Sequence, residues 1–208
     1  LRPRSGPNQW VVKEIYDLTP ATEVVEFTDT FDNLCQRLVA PVGEFKIYTS
    51  VDVMLTDQID QQDHNKLLGF VPVPNLPDSA FTYLLPSRYC ESDRFGDMAT
   101  EIVANCEPGY AQVAAIRDWV RANIINIPLS SVYPVSAIEI NQRREGVCRD
   151  LAHIAIALCR ALCIPSRLVV GYLHGLEPMD IHAWFESFVG NQWSTFDPST
   201  PQLTSSPP

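Results

Sequence analysis

The sequence predicts an α+β protein in two parts: an N-terminal antiparallel, β-sandwich-like domain over residues 1–75, and a domain over 76–208 in which helices come first and an antiparallel sheet comes after. Three observations lead to this. Short runs rich in Val, Ile, Phe and Tyr fill residues 10–55, a helical period of apolar residues begins only beyond Arg88, and "GFVPVPNLPDS" at 69–79 separates the two regimes. Pro72, Pro74 and Pro77 forbid a helix and weaken any central strand, so the boundary is expected there.

In the first part "WVVKEIYDL", "EVVEFTD", "LCQRLVA" and "EFKIYTSVDVML" read as half-buried strands broken by "TPAT", "TFDN" and "PVGE", with "DTFDNL" as a hairpin turn. In the second, "FGDMATEIVANC" and "GYAQVAAIRDWVRANI" have apolar residues at helical spacing, the latter introduced by Pro108. Ser136 and Glu139 have the spacing of a capping box at the start of a short helix. A long helix runs from about Val147 to Cys163 and is stopped by Pro165; "SRLVVGYL", "IHAWFESFV" and "QWSTFD" come next as strands.

Composition narrows the function classes. Hydrophobic residues make up 46% of 208, ample for a core. Fifteen Lys and Arg against twenty-five Asp and Glu give a net charge of −10, with no basic block to track a phosphate backbone, so nucleic acid is not an expected partner. The most apolar stretch, Ile154 to Ile164, is interrupted by Arg160 and is shorter than the roughly 20 residues of a membrane span, so no membrane association is expected. The opening "LRPRSGPNQW" has no apolar core and does not read as a signal peptide. Six cysteines are too few for a disulfide scaffold, and Cys148, Cys159 and Cys163 share one helix; they read as reduced thiols in a cytoplasm, with Cys159 and Cys163 as core residues.

Cys148 stands apart. It lies just behind Gly146 at the start of the long helix, where unpaired N–H groups and the helix dipole favour a thiolate over a thiol. A nucleophilic cysteine needs a base and a group that orients the base. Of the four histidines, His153 is five positions on in the same helix, about 140° round the axis, His64 precedes the domain boundary and His174 falls in a loop. His182 remains. If Gly190 and Asn191 form a two-residue hairpin turn, Val189 pairs with Gln192, Trp184 lies opposite Asp197 and His182 opposite Ser199. His182 and Asp197 then share a sheet face as diagonal neighbours, about 7 Å apart at the backbone, a gap that imidazole and carboxylate can bridge. A three-residue loop would turn one of them to the other face. The expected constellation is Cys148 as nucleophile, His182 as general base and acid, and Asp197 holding the imidazole tautomer. The Cys148 N–H is expected to stabilise an oxyanion, with Gln142, Trp119 and Tyr133 as candidates for the second donor.

These blocks, "GVCRDLAHIAIALCRALCIPSRLVVGYL", "DIHAWFES" and "WSTFDPST", resemble in order and spacing the Cys, His and Asp motifs of the transglutaminase-like superfamily, in its bacterial branch of cysteine proteases and acyltransferases. "LRPRSG" with "DTFDNL" resembles that family's N-terminal β domain and "YLLPSRYC" its linker, so the likeness covers nearly the whole chain. The resemblance implies a papain-like catalytic core and a thioester intermediate, with Cys148, His182 and Asp197 at the positions of the family's triad. Nothing in the sequence resembles the calcium sites of the animal enzymes.

Blander roles account for the neighbouring residues. A zinc site built from Cys148, His153, Cys159 and Cys163 fails on length, since fifteen residues of helix hold the end thiols roughly 22 Å apart; no metal or cofactor is expected. Asp150 favours the helix N-terminus, His153 and Trp184 pack, and Glu186 pairs with a cation such as Arg167. The expected activity is a thiol-dependent amide hydrolase or acyltransferase with a peptide or protein substrate, the acyl group passing to water or to an amine acceptor. The competing class is a peptide-binding or scaffolding protein that keeps the fold without the chemistry.

Overall fold

A computed structural model of the chain describes residues 3, 5–6, 9–56, 67–127, 130, 133–173, 176 and 180–199. The chain divides into two units, Leu1–Gln58 and Ile59–Pro208. His64 and His174 lie outside the described residues.

Among the described residues the first unit has two antiparallel strand pairs. Strand β1 (Gln9–Thr19) pairs with β4 (Lys46–Leu55), with a register shift between Val11 and Lys13, and β2 (Val24–Thr28) pairs with β3 (Leu34–Leu38). The β2–β3 turn forms because Asp29 Oδ1 accepts from the N–H groups of Phe31 and Asn33, each at 2.8 Å, and Asp32 takes the left-handed φ of 66° that Asp tolerates. Trp10, Val25, Phe27 and Ile47 remain about half exposed, as strands with one wet face should.

The second unit begins earlier than the proline pattern predicts. The boundary expected after residue 75 falls instead between Gln58 and Ile59, because the proline-rich stretch packs with the helices and strands C-terminal to it. Val71, Leu76 and Ala80 are buried with Phe188, and Val73, Leu84 and Trp193 pack around them. Leu68–Phe70 also threads past the residues that open a helix: the Tyr110 N–H donates to the Leu68 carbonyl at 2.9 Å and the Phe70 N–H to the Pro108 carbonyl at 3.2 Å. Gly109, at φ 108°, has the Gly69 backbone where a side chain would begin. The three prolines themselves stay exposed: Val73–Asn75 forms a single 3-10 turn where the prolines are expected to forbid a helix, and Val71 and Leu76 on either side of it reach into the core.

After one helical turn, α1 (Asp78–Phe81), come α2 (Gly96–Ile102), α3 (Tyr110–Asn123), α4 (Ala137–Arg143) and α5 (Cys148–Ala161). Ser136 caps α4 by accepting from the Glu139 N–H, while the Glu139 carboxylate turns to Arg143 rather than completing a capping box. A two-residue parallel pairing of β5 (Ile125–Asn126) with β6 (Glu145–Gly146) brings the end of α3 beside the start of α5. Strands β7 (Ser166–Tyr172), β8 (Ile181–Val189) and β9 (Gln192–Phe196) form an antiparallel sheet in that order.

Helix α5 is the axis of this unit. Every residue from Asp150 to Cys159 is buried, so it has no polar face; it packs against α2, α3 and α4 and against the sheet. Phe185, Val189 and Phe196 join the same core from β8 and β9. At its C-terminus Arg160 donates from Nε and Nη2 to the Ser166 carbonyl at 2.9 and 2.8 Å, and from Nη1 to the Leu85 carbonyl at 2.8 Å. Cys159 is fully buried, which pushes its thiol up to about 12. Cys163 is not a core residue, contrary to expectation. It occupies the left-handed position that ends α5, at φ 59°, where the Ile164 N–H reaches back to the Cys159 carbonyl, and this turns its side chain to solvent. All six cysteines are unbridged. Among the described residues no helix is long and apolar enough to cross a membrane.

Candidate active site

The hairpin between β8 and β9 has the register that the sequence predicts. Gly190 and Asn191 form the turn with φ of 57° and 65°, the pair of positive values that a type I′ hairpin needs, and Val189 pairs with Gln192. The ladder continues to Phe185 opposite Phe196. One residue further on, Asp197 therefore shares the face of Trp184 and His182, opposite to the core-facing Phe185.

His182 and Asp197 meet as that register requires: His182 Nε2 lies 2.6 Å from Asp197 Oδ2, with both residues buried. On β7, Gly171 pairs with His182. The Trp184 indole stacks beside the imidazole, 6.1 Å between centroids at 23°, and its far edge lies against Gly171, where an added Cβ would come within 2.8 Å. Trp184 is buried and packs, as expected. Glu186 takes its expected cation: Arg167 Nε donates to Glu186 Oε2 at 2.8 Å, and the guanidinium lies over the Trp193 ring at 4.1 Å.

Cys148 is the first residue of α5, with Val147 at the N-cap. Gly146 holds this corner for reasons of space: an added Cβ would lie 2.9 Å from Asp150 Cβ and 3.1 Å from Ile140 Cδ1. Asp150, fully buried, accepts from the Val147 N–H at 3.2 Å and from Arg149 Nε at 3.1 Å, tying down the first turn. The His182 side chain and the backbone amides of Ala183 and Arg149 are the groups that favour the ionised sulfur. Because Nε2 faces Asp197, Nδ1 is the imidazole nitrogen left for sulfur.

The electrostatics of the three groups agree with one another. Burial pushes the Cys148 thiol up, but the hydrogen bonds from His182 and Ala183 and the charge of the imidazolium outweigh it and hold the thiol below its ordinary 9.0. Burial would lower His182; the hydrogen bonds to Asp197 and Cys148 overcome this and raise it to about 9. Asp197, pushed up by burial, is held below the ordinary carboxylate value of 3.8 by hydrogen bonds from His182 and Ser199. Each of the three shifts favours the ionised form of its group, thiolate, imidazolium and carboxylate.

His153 lies elsewhere, as its place on the helix requires. It is buried against Tyr89, its Nδ1 is 3.4 Å from the Val135 carbonyl, and burial holds its pKa below the ordinary value. Of the candidates for a second oxyanion donor, Gln142 and Tyr133 are exposed and Trp119 is half-buried with the Arg144 guanidinium over its ring. The Arg149 amide belongs to the helix N-terminus that the sequence predicts, whereas the Ala183 amide on β8 escapes sequence reasoning. The register puts Ser199 opposite His182, yet its contacts with Asp197 depend on a turn through Pro198 that the ladder does not define. Among the described residues no group of three or more His, Cys, Asp or Glu side chains is arranged to hold a metal ion.

Fold and side chains together define a class: a helix presenting a cysteine at its N-terminus to a His–Asp pair on an antiparallel sheet. Residues 96–198 match the Transglutaminase-like superfamily. A solved structure of a candidate cysteine protease from Cytophaga hutchinsonii is 35% identical, with a TM-score of 0.86 over 96% of this chain and 69% of that one. The uncharacterized protein ML0607 of Mycobacterium leprae is 28% identical over 210 residues, covering 96% of this chain and 74% of its own length. The chain belongs to the transglutaminase-like superfamily, and its fold and its similarity to the Cytophaga protein support a thiol-dependent enzyme.

Proposed function

We propose that the protein is a thiol-dependent amide hydrolase or acyltransferase acting on peptide or peptide-like substrates through Cys148, His182 and Asp197. The observation that carries this reading is the 2.6 Å contact between His182 Nε2 and Asp197 Oδ2, in a histidine whose side chain also lowers the pKa of the Cys148 thiol.

The thiolate attacks the carbonyl carbon of an amide, forming the C–S bond and moving the π electrons onto oxygen. N–H groups at the N-terminus of α5 are suited to stabilise that oxyanion, because the first turn of a helix has donors with no partner in the helix itself. As the C–N bond breaks, His182 gives its Nδ1 proton to the departing amine and a thioester remains. Water or a primary amine then loses a proton to Nδ1 as it attacks, the C–S bond breaks and the thiolate returns. Asp197 keeps the other ring nitrogen protonated throughout. No metal or organic cofactor enters these steps. The six unbridged thiols favour a reducing, cytoplasmic setting.

The test is a panel of peptide amides assayed with and without an added primary amine, using the native protein and Cys148→Ala. Release of amine that depends on Cys148 is expected, and the product, acid or substituted amide, separates hydrolysis from transfer. Equal, background turnover by both proteins would discard the enzymatic reading in favour of a peptide-binding scaffold.

A further inference from the structure

Asp197 is held by more than its histidine. Its Oδ1 accepts two hydrogen bonds from one residue, from the Ser199 N–H at 2.7 Å and from the Ser199 hydroxyl at 2.6 Å. Its backbone carbonyl accepts from Arg121 Nη2, reaching over from α3, at 2.6 Å. Ser199 Oγ also lies 3.3 Å from His182 Nε2. Pro198, with its fixed φ, joins the two residues.

The protons in this cluster can be assigned by elimination. An ionised carboxylate can only accept, so at 2.6 Å the one proton of the Ser199 hydroxyl must point at Asp197 Oδ1. What Ser199 Oγ turns toward His182 is then a lone pair. Nε2 faces two acceptors, Asp197 Oδ2 at 2.6 Å and Ser199 Oγ at 3.3 Å. The ring nitrogen there must carry the proton, and Nδ1 is left to exchange a proton with sulfur. With Oδ1 held twice by Ser199, the carboxylate also resists rotating away from the ring.

We propose that Ser199 is a positioning residue of this site: its hydroxyl locks the Asp197 carboxylate and confines the His182 proton to Nε2, so that Nδ1 stays available to Cys148. The proposal rests on the reading of Cys148 and His182 given above and adds a fourth group to it. The alternative is that Ser199 only forms the turn after β9. The turn needs the Ser199 N–H on Asp197 Oδ1 but has no use for a hydroxyl beside the imidazole, and Ser199→Ala removes the hydroxyl while keeping the N–H.

The experiment compares the rate of iodoacetamide alkylation of Cys148 at neutral pH in the native protein, Ser199→Ala, Ser199→Thr and His182→Ala, with melting temperatures recorded alongside. Ser199→Ala is expected to slow alkylation about tenfold, the scale of one hydrogen bond to a charged group, while the protein stays folded with its melting temperature lowered by no more than a few degrees. Ser199→Thr, which keeps the hydroxyl, should restore most of the rate. Nitrogen NMR of the imidazole in Cys148→Ala should show the Nε2–H tautomer once the ring is neutral, and a measurable weakening of that preference when Ser199→Ala is added. The inference is overturned if Ser199→Ala reacts as fast as the native protein while His182→Ala is slow, if Thr is no better than Ala, or if the neutral ring carries its proton on Nδ1. If His182→Ala also reacts at the native rate, the reading of His182 itself fails, and that of Ser199 with it.

Discussion

Asp197 Oδ2 lies 2.6 Å from His182 Nε2 although the two residues are 15 positions apart, one on β8 and the other just beyond β9. The β8–β9 turn makes this possible: two residues with positive φ set the register, and the register places both side chains on one face. Both are buried, so neither has bulk water as an alternative partner, and the interaction raises one pKa and lowers the other.

Asp197→Asn should therefore impair more than the charge. The Asn amide would present either a neutral acceptor or an N–H donor to Nε2, and a donor there forces the ring proton onto Nδ1, the nitrogen needed by sulfur. Turnover of a peptide amide should fall about a thousandfold or more with little loss of fold. The His182 pKa should drop from about 9 toward 6.5, because the hydrogen bond with Asp197 is the largest influence raising it. Imidazole titration by NMR measures this shift directly.

The pH dependence arises from the same pair. In the proposed chemistry, activity requires a deprotonated sulfur and a protonated ring. On the acid side the rate should rise as Cys148 loses its proton, at a pH below the ordinary 9.0 of a thiol. On the alkaline side it should fall near 9, where His182 loses the proton that the departing amine needs. These two limbs belong to the pair as a whole. In His182→Ala burial still acts on the thiol while its main stabilising partner is gone, so ultraviolet titration of the thiolate should place Cys148 higher than in the native protein.

Gly146→Ala tests the corner beneath the nucleophile. Gly146 lies outside the left-handed region, so the conflict is purely steric: the new Cβ would meet Asp150 Cβ at 2.9 Å and Ile140 Cδ1 at 3.1 Å. Overpacking of this kind costs about 1–3 kcal/mol. Denaturant unfolding should register it, and alkylation of Cys148 should slow because the first turn of α5 is displaced.

Asp150→Ala removes the carboxylate that accepts from the Val147 N–H and Arg149 Nε. With Asp150 fully buried, the loss should cost about 1–3 kcal/mol by denaturant unfolding. Asp150 does not touch the sulfur in the proposed chemistry, so the residual activity of the folded fraction should stay within a few-fold of native. A loss of turnover as complete as in Cys148→Ala would give Asp150 a direct part in the reaction.

Much of this arrangement is legible in the sequence, and the reasons differ from element to element. The strands from Trp10 to Leu55 and from Ser166 to Phe196 announce themselves through β-branched and aromatic runs between turn residues. Asn191 after Gly190 fixes the hairpin, and the hairpin fixes the face shared by His182 and Asp197. The boundary is harder to read: prolines at 72, 74 and 77 mark a linker by composition, but Val71 and Leu76 among them are buried against Phe188, a long-range contact that no local pattern records. Cys163 escapes for a similar reason. A helical period predicts burial, and the left-handed ending of α5 takes the residue out of that period. The amide of Ala183 and the double hydrogen bond from Ser199 to Asp197 depend on backbone placement beyond the reach of side-chain spacing.

The central claim, that Cys148, His182 and Asp197 work as one unit, is tested most directly by treating the native protein with limiting iodoacetamide near neutral pH and mapping the modified cysteines by mass spectrometry. Labelling should concentrate on Cys148, ahead of the more exposed Cys163, and this preference should vanish in His182→Ala. Labelling that simply tracks exposure, with Cys163 foremost and no change in His182→Ala, would contradict the account.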